Sequence, residues 1–443
     1  LEFSSPWDYH DAAYGERQLV RVTLRSRFLK GLVAFMPILL VGTLDTKGQE
    51  LGFVRDLIRG HGHETLVIDA GSVSPPYFEA DIGREEVFRA AGTTWEDVQS
   101  LGDRGHAVGL AARGVSHLVE NLGPTRQALG IFGLGGSAGT EIATAAMRSL
   151  PFGVPKIMVS TVASGQTRPY VRGSDIAMFY SVADISGINR LTRSVLTNAA
   201  LALVGMVGLV RPASVAASDR PVVAATMFGV TTPCVEQARR TLEQAGYEVL
   251  VFHATGIGGQ SMEGLIRDGL IAGVLDLTTT ELADELVGGI LSAGADRLEA
   301  AGRRGIPQVV SVGALDMVNF GPPETIPERF KGRRFYVHNP SVTLMRTTPE
   351  ENRALGARIA ATLRRSQGPV ALWIPRGGVS ALDAPGQSFF DPEADEALFN
   401  ALREGVGEAT NVRLIVRDEH INDPKFADAA ARGLLELLTA TRG

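Results

Sequence analysis

A single cysteine, Cys234, excludes a disulfide framework and any cysteine-built metal cluster. Basic residues are not in excess either. Forty-three Lys and Arg face 49 Asp and Glu, a net charge of -6, so the charge balance points to neither nucleic acid nor a membrane surface as a partner. Long apolar runs are lacking: Val195 to Val210 falls short of the roughly 20 residues a bilayer requires, contains Thr197 and Asn198, and reads as a buried helix. The first 35 residues lack both a regular period and an A-x-A-like cleavage site, and they carry acidic residues. They read as an added or start-site extension, and the cytoplasm is the expected compartment. Small-molecule chemistry is the class these absences favour.

What the chain does have is length, apolar content and glycine: 443 residues, 44% hydrophobic, with 51 glycines. At about 100 to 200 residues per domain this predicts two or three cores. From Met36 onward, short Val/Ile/Leu runs alternate with helical stretches, the rhythm of a parallel sheet covered on both faces. Strands are predicted at 37–42, 64–69, 128–133, 156–160 and 176–180, with a helix at about 189–210. The rhythm restarts after the Pro/Ser/Ala-rich segment RPASVAASDRP, giving strands at 221–227, 247–252, 271–277, 307–312, 335–338, 370–374 and 412–417. The predicted organisation is a leader over 1–35, an N-terminal domain over 36–211, a linker over 212–220 and a C-terminal domain over 221–443. The fold class is α/β, with two Rossmann-like three-layer domains and mainly parallel sheets. The segments beginning at Pro37 and Pro221 also align without a gap, Gly62 on Gly246 and Glu64 on Glu248, so both halves open on the same class of β-α-β unit.

Ligands of open parallel sheets bind beyond the carboxyl ends of the strands, so the loops after strands are the places to look. GLGGSAGTEIATAAMRS, Gly133 to Ser149, follows an apolar strand and runs into a helix. Gly135, Gly136 and Gly139 let the backbone approach an anion, Ser137 and Thr140 bring hydroxyls, Ala138 lies between, and the first helical turn offers free N–H groups. Phosphate is the natural occupant; a tight turn with close helix packing is the plainer alternative. No Walker A lysine is present, and the G-x-G-x-x-G pattern is met only with Ala138 at its last position, which keeps a dinucleotide open. The loop after the first strand, GTLDTKGQE, offers Thr43 and Thr46 as donors, Lys47 against phosphate charge and Asp45 for Mg²⁺, or simply an N-capping turn. Ser160, Thr161, Ser164 and Gly165 form a third small, hydroxyl-rich loop, and Asp69 stands where a Rossmann unit binds ribose, a place where an acid equally serves to cap the following turn.

VGTLDTKGQE, GLGGSAGTEIATAAMRSLPFGVPKIMVSTVASG and YSVADISGINRL together resemble the Tm-one-like ATP-binding family, whose plant member is a tomato mosaic virus resistance protein. The likeness runs from Met36 to the C-terminus. It implies an ATP-binding Rossmann-like first domain, a second α/β domain with some TIM-barrel character, and self-association as a homodimer or larger. By matching motif, the nucleotide would meet Gly135, Gly136, Ser137, Gly139 and Thr140, with Thr43, Asp45 and Lys47 opposite and Ser160 to Gly165 beside them. It assigns no reaction.

The second domain's loops carry His253, Asp316, His338, Arg346, Arg376, Glu419 and His420. If one sheet aligns their strands, they converge on one mouth able to supply an acid, a base and a clamp for a carboxylate or phosphate. Three readings follow: an ATP-using enzyme acting on a small anionic, carboxylate-bearing molecule; a nucleotide-gated oligomeric binding protein without turnover; and an NAD(P)-dependent oxidoreductase.

Overall fold

The computed structural model describes residues 36–122, 128–208 and 220–442. The leader 1–35 and the predicted linker, apart from Arg220, lie outside these described residues. The described chain forms two compact units, one of residues 36–171 and 175–208 and one of residues 220–442 together with 172–174.

In the first unit, β1 (Ile38–Gly42), β2 (Thr65–Asp69), β3 (Gly130–Gly135), β4 (Lys156–Ser160) and β5 (Ala177–Tyr180) form a fully parallel sheet in the order β2-β1-β3-β4-β5. Alternation along each strand feeds two cores. Leu39, Val41, Ile131 and Met158 face the helices Arg84–Ala90, Arg104–Glu120 and Ser137–Arg148, while Ile38, Leu40, Phe132 and Val159 face Leu44–Gly60 and Arg190–Gly208. Every residue of β1, β3 and β4 is buried, as a sheet covered on both faces requires. Because β2 and β3 lie on opposite sides of β1, the loops after β1 and β3 diverge and leave a crevice at the carboxyl edge.

The helix Arg190–Gly208, read above as a buried helix, is buried on one face only. Leu196, Ala199, Ala200 and Leu203 pack inward, while Leu191, Leu201 and Met206 are exposed. Its 19 residues meet the length and composition of a membrane span, but that inward face belongs to the core.

Nine strands follow in the second unit: β6 (Val222–Met227), β7 (Glu248–His253), β8 (Gly273–Thr278), β9 (Gln308–Gly313), β10 (Met317–Phe320), β11 (Phe335–Asn339), β12 (Val342–Arg346), β13 (Val370–Pro375) and β14 (Val412–Arg417). Six form a parallel sheet, β14-β13-β9-β8-β6-β7, whose first strands repeat the order of the first unit. The sheet is open, with β14 and β7 as its edges, so the barrel character implied by the resemblance is not found. The predicted strand 335–338 exists but belongs elsewhere: β10, β12 and β11 form a separate antiparallel sheet inserted between β9 and β13.

Candidate functional site

The carboxyl edge of β1 and β3 holds a cleft of about 330 Å³. Two helices start there. β1 ends at Gly42 and Thr43 caps the helix Leu44–Gly60; β3 ends at Gly135 and Gly136 caps Ser137–Arg148. Neither cap side chain accepts a first-turn amide: Thr43 Oγ1 is bonded to Thr46 Oγ1 at 2.7 Å and the Leu44 amide goes to Asp69 Oδ1 at 2.9 Å, whereas the first-turn N–H groups of the glycine-loop helix have no side-chain acceptor among the described residues. Gly135 is required by shape: its φ is +156°, and a Cβ there would stand 2.9 Å from Gly139 Cα. A larger residue at either position would push the helix start away from the strand end.

Among the residues expected from sequence, Thr43, Asp45, Thr46, Lys47, Gly135, Gly136, Ser137, Ala138 and Gly139 line this cleft. Thr140 and Ser160 do not: both are fully buried, and their hydroxyls bond each other at 2.7 Å, tying the glycine-loop helix to β4. Thr161, Ser164 and Gly165 lie in the turn after β4, outside the cleft lining. Ser72 and Val73 after β2, Arg104 and Val108 on the helix Arg104–Glu120, Ile142, and Asp184 complete the wall. Ser72, Val73, Arg104 and Val108 lie outside any motif of the sequence, and Ile142 and Asp184, though within quoted segments, carry no sign of their own that they face the cleft.

The charges divide into committed and uncommitted groups. Asp69 is committed: its Oδ1 accepts from the Leu44 and Gly71 amides, each at 2.9 Å, and its Oδ2 accepts from Arg84 Nε and Nη2 at 2.9 and 2.7 Å. It braces the loop after β1 and has no oxygen left for a ribose. Lys47 reaches the Ile185 carbonyl, and Glu50 takes the Gly187 amide at 2.6 Å, so together they hold the segment after β5 against the first helix. Asp45 is half committed: Oδ2 accepts from the Val73 amide at 2.7 Å, whereas Oδ1 is buried with no hydrogen-bond partner among the described residues. Gly71 makes room for this carboxylate, since a Cβ there would come within 2.7 Å of Oδ1. A buried, unpartnered carboxylate oxygen beside two helix N-termini suits a cation carried in with an anion.

In the second unit the expected residues do not assemble one open mouth. Asp316 and Arg346 do come together, but buried, with Asp383 and Asp395: Arg346 donates to Asp395 Oδ1 at 2.6 Å and to the Phe389 carbonyl at 2.8 Å, and Ser380 Oγ donates to Asp316 Oδ2 at 2.7 Å. Burial raises Asp316 to about 7 and Asp395 to about 8 despite the pull of Arg346, with Asp383 adding repulsion. His420 accepts the Asn422 amide at Nδ1, 3.0 Å, which leaves Nε2–H to donate to the Ser380 carbonyl at 2.9 Å. Glu419 is paired with Arg417, whose hydrogen bonds hold it down at about 2. Arg376 is exposed and meets Asp418 at 3.2 Å, and His253 is exposed at the end of β7 against Phe228. His338 stands on β11, in the antiparallel sheet rather than the six-stranded one.

Near the carboxyl ends of β7 and β8 this unit holds a buried ion-pair cluster of its own. Arg297, fully buried, donates to both oxygens of Asp276 at 2.6 and 2.8 Å and to Glu281 at 2.8 Å, with Glu263 at 3.4 Å. Glu281 Oε1 in turn accepts the Gly256 and Gly259 amides at the start of the helix Ile257–Arg267, at 2.7 and 3.0 Å. Burial alone would lower the Arg297 pKa, but its three carboxylates hold it well above the ordinary value. An internal carboxylate therefore fills the anion position of a helix N-terminus. In the first unit's cleft Asp69 takes the Leu44 amide in the same way, but among the described residues no side chain fills the N-terminus of the glycine-loop helix Ser137–Arg148.

Against this geometry, two family models match the chain: the uncharacterised protein family UPF0261 N-terminal domain over residues 36–212 and its C-terminal domain over 220–438. A UPF0261 protein of Clostridium tetani is 52% identical over 401 residues, covering 90% of this chain and 98% of its own. The tomato (Solanum lycopersicum) ToMV resistance protein Tm-1(GCR237) is 40% identical over 420 residues, which is 91% of this chain but 56% of the plant protein. The solved structure of LpCGTa in complex with UDP aligns at 11% identity over 91% of this chain and 99% of that one, with a TM-score of 0.19, a likeness too low to carry inference. Matched along both units, the chain belongs to the uncharacterised protein family UPF0261, of which the tomato Tm-1 protein is a relative.

Proposed function

We propose that the first unit binds ATP with Mg²⁺ in the β1/β3 cleft. The observation that carries this reading is that two helices start at one cleft, whose lining also includes Asp45 with its unpartnered Oδ1, at the switch point of an open parallel sheet. The amides of the Gly136–Gly139 turn, with the Ser137 hydroxyl, are suited to phosphate, and Thr43 and Thr46 face them across the cleft. Val73, Val108 and Ile142 supply the apolar wall that a base or sugar needs. Asp45 is the residue suited to Mg²⁺, which typically keeps one or two carboxylates and takes its remaining ligands from phosphate and water. ATP in particular comes from the resemblance to the ATP-binding family.

The protein's output is better read as nucleotide-dependent binding than as turnover of a second substrate. Arg346, the expected carboxylate clamp, is saturated by Asp395 and the Phe389 carbonyl, and His420 is fixed between two backbone groups. The dinucleotide reading has the least support, because Asp69 has no oxygen free for a ribose. Self-association belongs to the same proposal, and sedimentation with and without ATP reads it.

Calorimetric titration with ATP, with and without Mg²⁺, tests the site. Saturable binding that Mg²⁺ strengthens is expected, and Asp45→Asn should remove about tenfold of that strengthening, the equivalent of about 1.4 kcal/mol. Absence of binding at millimolar ATP would leave the glycine turn as a packing device.

A further inference from the structure

The cleft holds two basic residues, and only one is available. Lys47 is engaged by the Ile185 carbonyl. Arg104, at the first turn of the helix Arg104–Glu120, is exposed and makes no hydrogen bond or ion pair with another described residue. Its position is set by packing rather than by charge. Ala111 and Val115 of its helix share a core with Ile142, Ala146 and Met147 of the glycine-loop helix, so Arg104 and Val108, one turn apart on the same face, are carried to the cleft wall.

A triphosphate brings more negative charge than helix ends neutralise, since each helix terminus is worth about half an elementary charge. In this cleft Asp45 and Asp184 add further negative charge to the wall. Something cationic has to meet the part of the ligand farthest from the buried glycine floor, and a planar guanidinium can take two phosphate oxygens at once.

We infer that Arg104 is the specificity-determining contact for the terminal phosphate, so that the cleft distinguishes nucleoside triphosphate from diphosphate. This rests on the nucleotide reading of the same cleft. In the lining Gly135 and Gly139 are buried whereas Arg104 is exposed, which assigns the inner phosphates to the glycine turn and the outermost one to Arg104.

The test uses the full chain as wild type, Arg104→Ala and Arg104→Lys, titrated by calorimetry with ATP, ADP and AMP at fixed Mg²⁺ and fixed salt. A charge-assisted hydrogen bond contributes about 1.5–3 kcal/mol, so Arg104→Ala should weaken ATP about 10- to 100-fold. AMP should be almost unchanged, and the ATP-to-ADP preference should fall towards unity. Arg104→Lys should keep the charge but recover only part of the preference, because the fork is lost. Arg104 is exposed, so unchanged circular dichroism and melting temperature are expected and keep the comparison clean. If wild type binds ATP and Arg104→Ala retains the ATP-to-ADP ratio, Arg104 is not the selecting contact and the nucleotide reading survives. If wild type binds no nucleotide at all, that reading falls and this one with it.

Discussion

Arg346 is surrounded by more negative charge than it can neutralise. Asp395 lies 2.6 Å from its Nη2 and Asp383 3.8 Å, while Asp316 is buried beside them with Oδ1 unpartnered. Three carboxylates around one guanidinium cannot all be ionised cheaply in a dry site, so protons remain bound where Asp316 and Asp395 are raised to about 7 and 8. An unfolded aspartate titrates near 3.9, so between about pH 4 and pH 8 the folded state binds more protons than the unfolded one. The stability this confers is complete below pH 4 and is lost as pH rises through 7 and 8. In urea unfolding, wild type minus Asp395→Asn should therefore become progressively less favourable from pH 5.5 to pH 9, because the amide cannot ionise. A difference that stays flat or rises over that range would refute the assignment. Asp316 and Arg346 were legible in the sequence as unusual polar residues after strands. Their saturation was not, since it depends on Asp383 and Asp395, which are distant from them in the chain and meet Arg346 only in the fold. Arg297 was missed for the same reason: within ADRLEA it reads as part of a solvated stretch, and only the fold puts it against Asp276, Glu281 and Glu263.

At the scale of elements, local chemistry is a good guide wherever the signal is local. Thr348-Pro349-x-Glu351 predicts a capped helix start, and the helix Pro349–Arg364 begins there with a reciprocal box: Thr348 Oγ1 accepts the Glu351 amide at 3.2 Å, and Glu351 Oε2 accepts the Thr348 amide at 2.8 Å. Asp391 caps its own helix in the same way through the Ala394 amide. Thr348→Ala should cost about 1 kcal/mol of stability, seen as a lower urea midpoint with an unchanged slope; no loss would mean that Arg333, which grips Glu351 at 2.7 and 3.0 Å, holds the helix start unaided. The parallel strands were equally legible, because strands buried on both faces read as continuous apolar runs. β10 and β12 were not: at four and five residues, flanked by polar turns, they offer no run long enough to separate from loop, and their pairing with β11 is visible only in three dimensions. The cleft shows the same division. Its floor is a contiguous motif and could be read, whereas Ser72, Arg104 and Asp184 arrive from three separate turns.

At the scale of the whole molecule, two units with the same opening strand order treat their carboxyl edges differently. In the first, the β1/β3 edge holds an open cleft with an unpartnered carboxylate oxygen; in the second, Arg297 and its three acids form a buried cluster against the helix that follows β7. The two arrangements respond to different perturbations, which makes the division testable in one calorimeter. Removing one partner of a buried charge network costs about 3–5 kcal/mol, because the remaining charges stay desolvated. Arg297→Met should therefore lower the unfolding transition of the second unit and leave that of the first in place. ATP at a hundredfold excess over its dissociation constant should add about 2.7 kcal/mol to whichever unit binds it. The expected scan of the variant with ATP and Mg²⁺ has two separated transitions, with the nucleotide raising the one that Arg297→Met left unmoved. Should ATP instead raise the transition that the substitution lowered, the ligand site would lie in the second unit, and the β1/β3 cleft would lose its assignment.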